Sequence, residues 1–213
     1  MHYLCNMHIF GKNKILALTA LCAIVLQGCI KERKFVVDEG LLEKTATENN
    51  IGIDYQMPAG FSAIRQGMVD TIAVQEQQHD PFSGRIAAIY VDTLLGNSIV
   101  MITDMAAVPA ERTENKLDFY FTEFNIDKTW DKVEIQRYRF GDFPKVVQLD
   151  MYNDSKYNIK LYFYDEDKAR FSVDYLFDTG FYNDLKPFID ASVGSFRKHR
   201  EITITTDNNE TLQ

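Results

Sequence analysis

The stretch from Lys132 to Phe177 restricts the fold most. Four runs, Lys132 to Phe140, Lys145 to Tyr152, Tyr157 to Tyr164 and Ala169 to Phe177, are rich in aromatic and β-branched residues, as strands require. The breaks between them are Gly141-Asp142-Phe143-Pro144, Asn153-Asp154-Ser155 and Asp165-Glu166-Asp167. These residue types form tight turns. Strands joined by tight turns pair antiparallel, because a parallel pair needs a long crossover. The last run has the clearest period of two. Ala169, Phe171, Val173, Tyr175 and Phe177 are expected on one face, and Arg170, Ser172 and Asp174 on the other.

Upstream, Arg85 to Asp92 and Ser98 to Asp104 read as a hairpin. Ile86, Ala88 and Tyr90 are expected on one face, and Ala87, Ile89 and Val91 on the other. A strand apolar on both faces is covered on both. Ile53 to Met57 adds a short strand that ends at Pro58, and Phe61 to Val74 fits either strand or helix. Gln75 to Pro81 reads as a polar loop. After Pro109, Thr113 is the expected N-cap of a helix with Leu117, Tyr120, Phe121 and Phe124 on one stripe. A last helix has Leu185, Phe188, Ile189, Ser192 and Phe196 on its buried face. Asp184 is its expected N-cap, which puts Pro187 in the first turn. The expectation is an α+β domain over 51–198: an antiparallel sheet of six to seven strands between helices, followed by a polar tail over 199–213.

The first 28 residues carry only Lys12 and Lys14 as formal charges. Ile15 to Leu26 is an apolar run of about a dozen residues, the length of a signal core and short of the roughly 20 that span a bilayer. It leads into Leu26-Gln27-Gly28-Cys29, with a Leu three residues before a Cys and a small residue just before it. This resembles the lipobox of bacterial lipoproteins. The resemblance implies removal of residues 1–28, acylation of Cys29, and a bilayer as partner. Met7 offers a second start for the same signal. Ile30 in place of Asp after the Cys implies, by analogy with enteric bacteria, the outer membrane of the cell envelope. Residues 29–50 are then expected as a lipidated tether.

Of the cysteines, Cys5 and Cys22 leave with the signal and Cys29 takes the lipid, so no disulfide or thiolate metal site is expected. Without Lys12 and Lys14 the chain has 21 basic and 31 acidic residues, a formal charge of −10. A surface this acidic repels nucleic acid and anionic lipid at long range.

Catalytic candidates are few. The domain's histidines are His79 and His199, and Pro81-Phe82-Ser83-Gly84-Arg85 lacks the G-x-S-x-G order of a nucleophile elbow. A triad on His79 is the one hydrolase reading open. Oxygen ligands gather at Asp150, Asn153 and Asp154 and at Asp165, Glu166 and Asp167, without the spacing of a calcium loop. No metal site, cofactor or enzymatic activity is expected. Tyr138, Tyr152, Tyr157, Tyr162, Tyr164 and Tyr175 are either core or, where they meet charge at a surface, an interface.

Two stretches carry a second resemblance. Tyr157 to Phe196, a hairpin and a terminal helix with Ser192-Val193-Gly194-Ser195-Phe196, resembles the last third of the Mog1/PsbP-like superfamily. Tyr55-Gln56-Met57-Pro58-Ala59-Gly60-Phe61 is similar to its entry strand. The resemblance implies an α/β/α sandwich and, with no shared catalytic motif, a protein-binding or assembly module whose partner is another envelope protein. The alternative is a module for a small ligand or metal ion.

Overall fold

The structure is a computed structural model that describes residues 30–79, 84–93, 97–111, 113 and 130–200. Its centre is a seven-stranded antiparallel sheet ordered β3-β4-β5-β9-β8-β7-β6. The strands are β3 (Phe61–Ala63), β4 (Arg85–Asp92), β5 (Ile99–Asp104), β6 (Lys132–Phe140), β7 (Phe143–Tyr152), β8 (Lys156–Asp165) and β9 (Lys168–Asp178). The four runs expected between Lys132 and Phe177 are the consecutive hairpins of β6 to β9. A second sheet joins β1 (Ala46–Glu48), β2 (Ile53–Tyr55) and β10 (Arg197–Lys198). The described elements also include two helices, α1 (Gln66–His79) and α2 (Tyr182–Ser195), and 3-10 turns over Glu39–Leu41 and Thr179–Phe181. Among the described residues, no helix is long and apolar enough to cross a membrane.

Both faces of the large sheet are covered. On one, Phe163, Phe171, Val173, Tyr175 and Phe177 pack under Ile189, Val193 and Phe196 of the α2 region and under Ile53 and Tyr55 of β2. The rings of Phe163 and Phe171 stack at 4.5 Å, and Phe196 lies 5.4 Å from Phe163. On the other face, Val69 and Ile72 of α1 meet Ile86, Ile89 and Met101, while Val147, Leu149, Tyr162 and Tyr164 pack with Met105 and Val108.

Two bulges move residues off the faces that strict alternation assigns. The β4–β5 register slips between Ile86 and Ala88, so Ile86 joins Ile89 under α1 instead of sharing a face with Ala88 and Tyr90. The β8–β9 register places Phe163 opposite Phe171 but Tyr164 opposite Ala169. Arg170 is the extra residue, and Ala169 leaves the Phe171 face to pack with Tyr164. An inserted residue inverts the faces beyond it. Ser172 and Asp174 point away from that core, as expected, but are buried as well.

Other boundaries also shift. Gln75 to His79, expected as loop, continues α1, in keeping with the helix preference of Gln and Glu. Thr113 is not an N-cap. Its N–H donates to the Pro109 carbonyl, so it lies one turn inside a helix that begins at Ala110. Leu117, Tyr120, Phe121 and Phe124 lie outside the described residues. The last helix starts at Tyr182, two residues before Asp184, after a 3-10 turn over Thr179–Phe181. Pro187 is therefore in the helix interior, where it removes the bond Asn183's carbonyl would receive. His199, expected to open the tail, donates its backbone N–H to Gly52 and bonds Asp54 through Nδ1 at 2.9 Å.

The expected tether differs most. From Glu32 onward the chain lies on the domain. Glu32 bridges Arg139 in parallel, and Arg33 donates its backbone N–H to the Arg139 carbonyl. The next residues alternate. Phe35 packs on Tyr138 and Phe140, while Glu32, Lys34 and Val36 face out. Gly194 lets this segment approach α2: a Cβ there would lie 2.8 Å from Phe35 Cβ. Thr47 and Glu48 then pair with β2, and Leu42 bridges Pro58.

Candidate functional site

At the β6 end of the α2 face the apolar core gives way to a polar cleft of about 110 Å³. Its floor comes from alternate residues of two strands, Glu134 and Gln136 of β6 and Gln148 and Asp150 of β7, which period-two geometry puts on one face. Its helical wall is Tyr182, Lys186, Ile189, Asp190 and Val193, one stripe of α2 at helical spacing. Arg33 and Phe35 of the N-terminal segment close a third side.

A relay of hydrogen bonds links charge to charge across the floor. Arg33 Nη1 donates to Gln136 Oε1 and Gln148 Oε1, each at 3.0 Å. The Tyr138 hydroxyl donates to the same Gln148 oxygen at 2.9 Å. The amide nitrogen of Gln148 donates to both Asp150 oxygens, at 2.9 and 3.0 Å, and Gln136 Nε2 reaches Asp150 Oδ2 at 3.2 Å. The guanidinium also lies over the rings of Phe35 and Tyr138, at 4.5 and 5.1 Å. Each glutamine thus passes the pull of Arg33 on to Asp150, and bonds in series polarise one another.

Asp150 is 7% exposed and makes no ion pair among the described residues. Burial pushes its carboxyl above the usual carboxylate range, against the pull of the Gln148 amide and Arg33. Burial likewise raises the phenols of Tyr138 and Tyr157, the latter also because Asp150 is near. Tyr157 stacks on Tyr182 at 4.5 Å, on Tyr152 at 5.2 Å and on Phe177 at 5.4 Å. These rings form the outer rim, where a shallower hollow is lined by Glu134, Tyr152, Tyr157, Thr179, Tyr182 and Asn183.

The residues singled out from sequence fall in different places. Tyr138, Tyr157, Tyr162, Tyr164 and Tyr175 are buried and Tyr152 half-buried, so the tyrosines are mainly core, with Tyr152 and Tyr157 at the cleft rim. The two acidic groups do not converge. Asp150 points into the cleft, whereas Asn153 Oδ1 accepts from Ser155 and Lys156 in its own turn. Asp165 pairs with Lys198 at 2.9 Å. No group of three or more His, Cys, Asp or Glu residues suited to a metal ion occurs among the described residues. His79 is the last residue of α1, and Ser83 and Cys29 lie outside the described residues. Sequence reasoning missed Arg33, Gln136 and Gln148. The available signal was Gln148 and Asp150 themselves, polar at alternate positions of a strand whose other face is Val147, Leu149 and Met151.

No protein-family model matches the sequence, and no curated protein is significantly similar to it. Among solved structures, the chain is similar in fold to cyanobacterial PsbP (CyanoP) from Synechocystis sp. PCC 6803, whose solution structure is known. The identity is 12%, the match covers 73% of this chain and 91% of that one, and the TM-score is 0.49. That likeness assigns no role to any residue here.

Proposed function

We propose that this is a lipid-anchored protein of the bacterial envelope, acylated at Cys29, whose domain binds another protein and catalyses no reaction. The anchor half rests on Lys12, Lys14, the apolar run and the Leu26–Cys29 motif. The observation that carries the binding half is the cleft together with the strand beside it. A buried carboxylate, relayed to a guanidinium through two amides, opens next to the outer edge of β6. From Lys132 to Arg137 that edge has no strand partner among the described residues. An extended segment of a partner adds to such an edge through its backbone and sets a side chain in the pocket beside it. A basic side chain suits this cleft, because it supplies an ion pair that Asp150 lacks among the described residues.

A second reading rests on the same carboxylate: a small cationic ligand fills the cleft without any strand addition. Both readings meet one experiment. The cells are fed an alkyne fatty acid, and a photo-crosslinking residue replaces Lys132 on the β6 edge or Met68 on α1. The proposal expects a label lost in Cys29→Ser and a discrete protein adduct from position 132 that is absent from position 68. A labelled protein with no discrete adduct at 132 contradicts the protein partner and leaves the small ligand, tested by thermal shift against cationic metabolites. An unlabelled protein contradicts the anchor.

A further inference from the structure

We infer that the β6 corner of the domain is a membrane-docking surface that holds the fold in one orientation against anionic headgroups. The inference rests on the Cys29 anchor proposed above. Only Ile30 and Lys31 lie between Cys29 and Glu32, the first residue bridged to the sheet. Three residue steps reach at most roughly 10 Å. The polar zone of a bilayer leaflet is itself about 5–8 Å deep. An acylated Cys29 therefore brings Arg139, the partner of Glu32, to the level of the headgroups, about one Debye length from their charge. A free tether of some twenty residues would have left the domain to tumble; a segment fixed to the sheet from Glu32 does not.

The side chains at this corner suit that surface. Lys34, Arg137 and Arg139 are exposed and make no ion pair among the described residues. Elsewhere Lys132 pairs with Glu134, Lys156 with Asp178, Lys160 with Asp174, Lys186 with Asp190, and Lys198 with Asp165. Asp142, in the adjacent turn, is met by Arg200 at 3.5 Å. An acidic protein thus places beside its anchor three cations with no ion pair among the described residues. Apolar side chains collect there as well. Val36 and Val37 are two of the six large hydrophobics exposed among the described residues, and Val36 is 85% exposed. Exposed apolar groups mixed with lysine and arginine are the composition of a surface that lies in the headgroup layer.

The test uses the full-length protein reconstituted in vesicles of phosphatidylcholine alone or with phosphatidylglycerol added. Mass spectrometry first establishes the acyl group on Cys29. Once Cys5 and Cys22 leave with the signal, an introduced cysteine is the one reactive thiol. A polarity-sensitive fluorophore is placed at Val36→Cys or, on the opposite edge strand, at Ser62→Cys. Six strand spacings put Ser62 roughly 29 Å from β6. The docked state predicts a blue-shifted emission at position 36, strengthened by phosphatidylglycerol and weakened by salt, and a water-like emission at position 62. Each cation at an anionic leaflet changes partitioning about five-fold, so Arg137→Gln with Arg139→Gln lowers the docked-to-free ratio roughly 25-fold. Acylated protein with the same emission at both positions, or a position-36 signal indifferent to charge, overturns the docking inference alone. An unmodified Cys29 overturns the anchor and the docking together.

Discussion

Two aspartates on opposite faces of the same sheet are buried to the same degree and held in different ways. Asp174 of β9 is 6% exposed and Asp150 of β7 is 7% exposed. Both oxygens of Asp174 accept from Lys160 Nζ at 2.9 Å, and the lysine is itself largely buried. That charge is cancelled where it stands. Among the described residues Asp150 accepts only from side-chain amides, and Arg33 acts on it through the oxygens of Gln136 and Gln148. A carboxylate neutralised by direct contact is part of the fold. One desolvated at the floor of an open cleft, with its cation a residue away, still has an ion pair to offer. The contrast locates the functional surface on the α2 face at its β6 end, although that face is otherwise the more aromatic of the two.

Lys160→Met leaves Asp174 buried and unpaired, which costs about 3–5 kcal/mol in urea unfolding at neutral pH. Adding Asp174→Leu recovers most of that loss, because the pair is replaceable by apolar groups. Arg33→Ala is milder. It removes charge-assisted hydrogen bonds and cation–π contacts at a half-buried site, a loss of about 1–2 kcal/mol. It also raises the Asp150 carboxyl further, since the Arg33 charge now lowers it. A loss at Arg33 equal to that at Lys160 would erase the distinction. The smallest effect is expected at Asp54, outside both sites. The Thr47 hydroxyl and His199 hold its carboxyl below the usual range. Such a group adds stability above its unfolded value that is lost as pH falls through the lower folded value. Asp54→Asn therefore destabilises by under about 1 kcal/mol at neutral pH and by less in acid.

The part of the fold that repeats locally was legible in the sequence. The alternation in β6 to β9 and the Gly, Asn and Asp turns between them define four antiparallel strands, and the structure pairs them in that order. What failed was whatever one inserted residue or one distant contact decides. Bulges at Ala87 and Arg170 moved Ile86 and Ala169 to the other face, and neither residue differs in kind from its neighbours. The segment from Glu32 reads as polar tether because its apolar members are sparse. It is fixed by the gap at Gly194, some 160 residues away in sequence. The cleft has the same origin: Asp150 was visible as an acid near a turn, but Arg33, which gives it meaning, arrives from the far end of the chain. Gly194 inside a helix and Gln148 beside Asp150 inside an apolar strand were the two local marks of what was to come.

The cleft holds a desolvated carboxylate at a cost to the protein's own stability. Comparing the unfolding free energies of wild type and Asp150→Asn across pH tests it most directly. A carboxyl raised by folding stabilises fully below its unfolded value, about 3.9, and loses that contribution as pH climbs through the higher folded value. The variant lacks this loss. The stability difference must therefore shift in favour of Asp150→Asn as pH rises from about 3 to about 7. A shift in favour of wild type over that range would show Asp150 to be a stabilising ion like any paired surface acid, and the cleft would lose its claim to function.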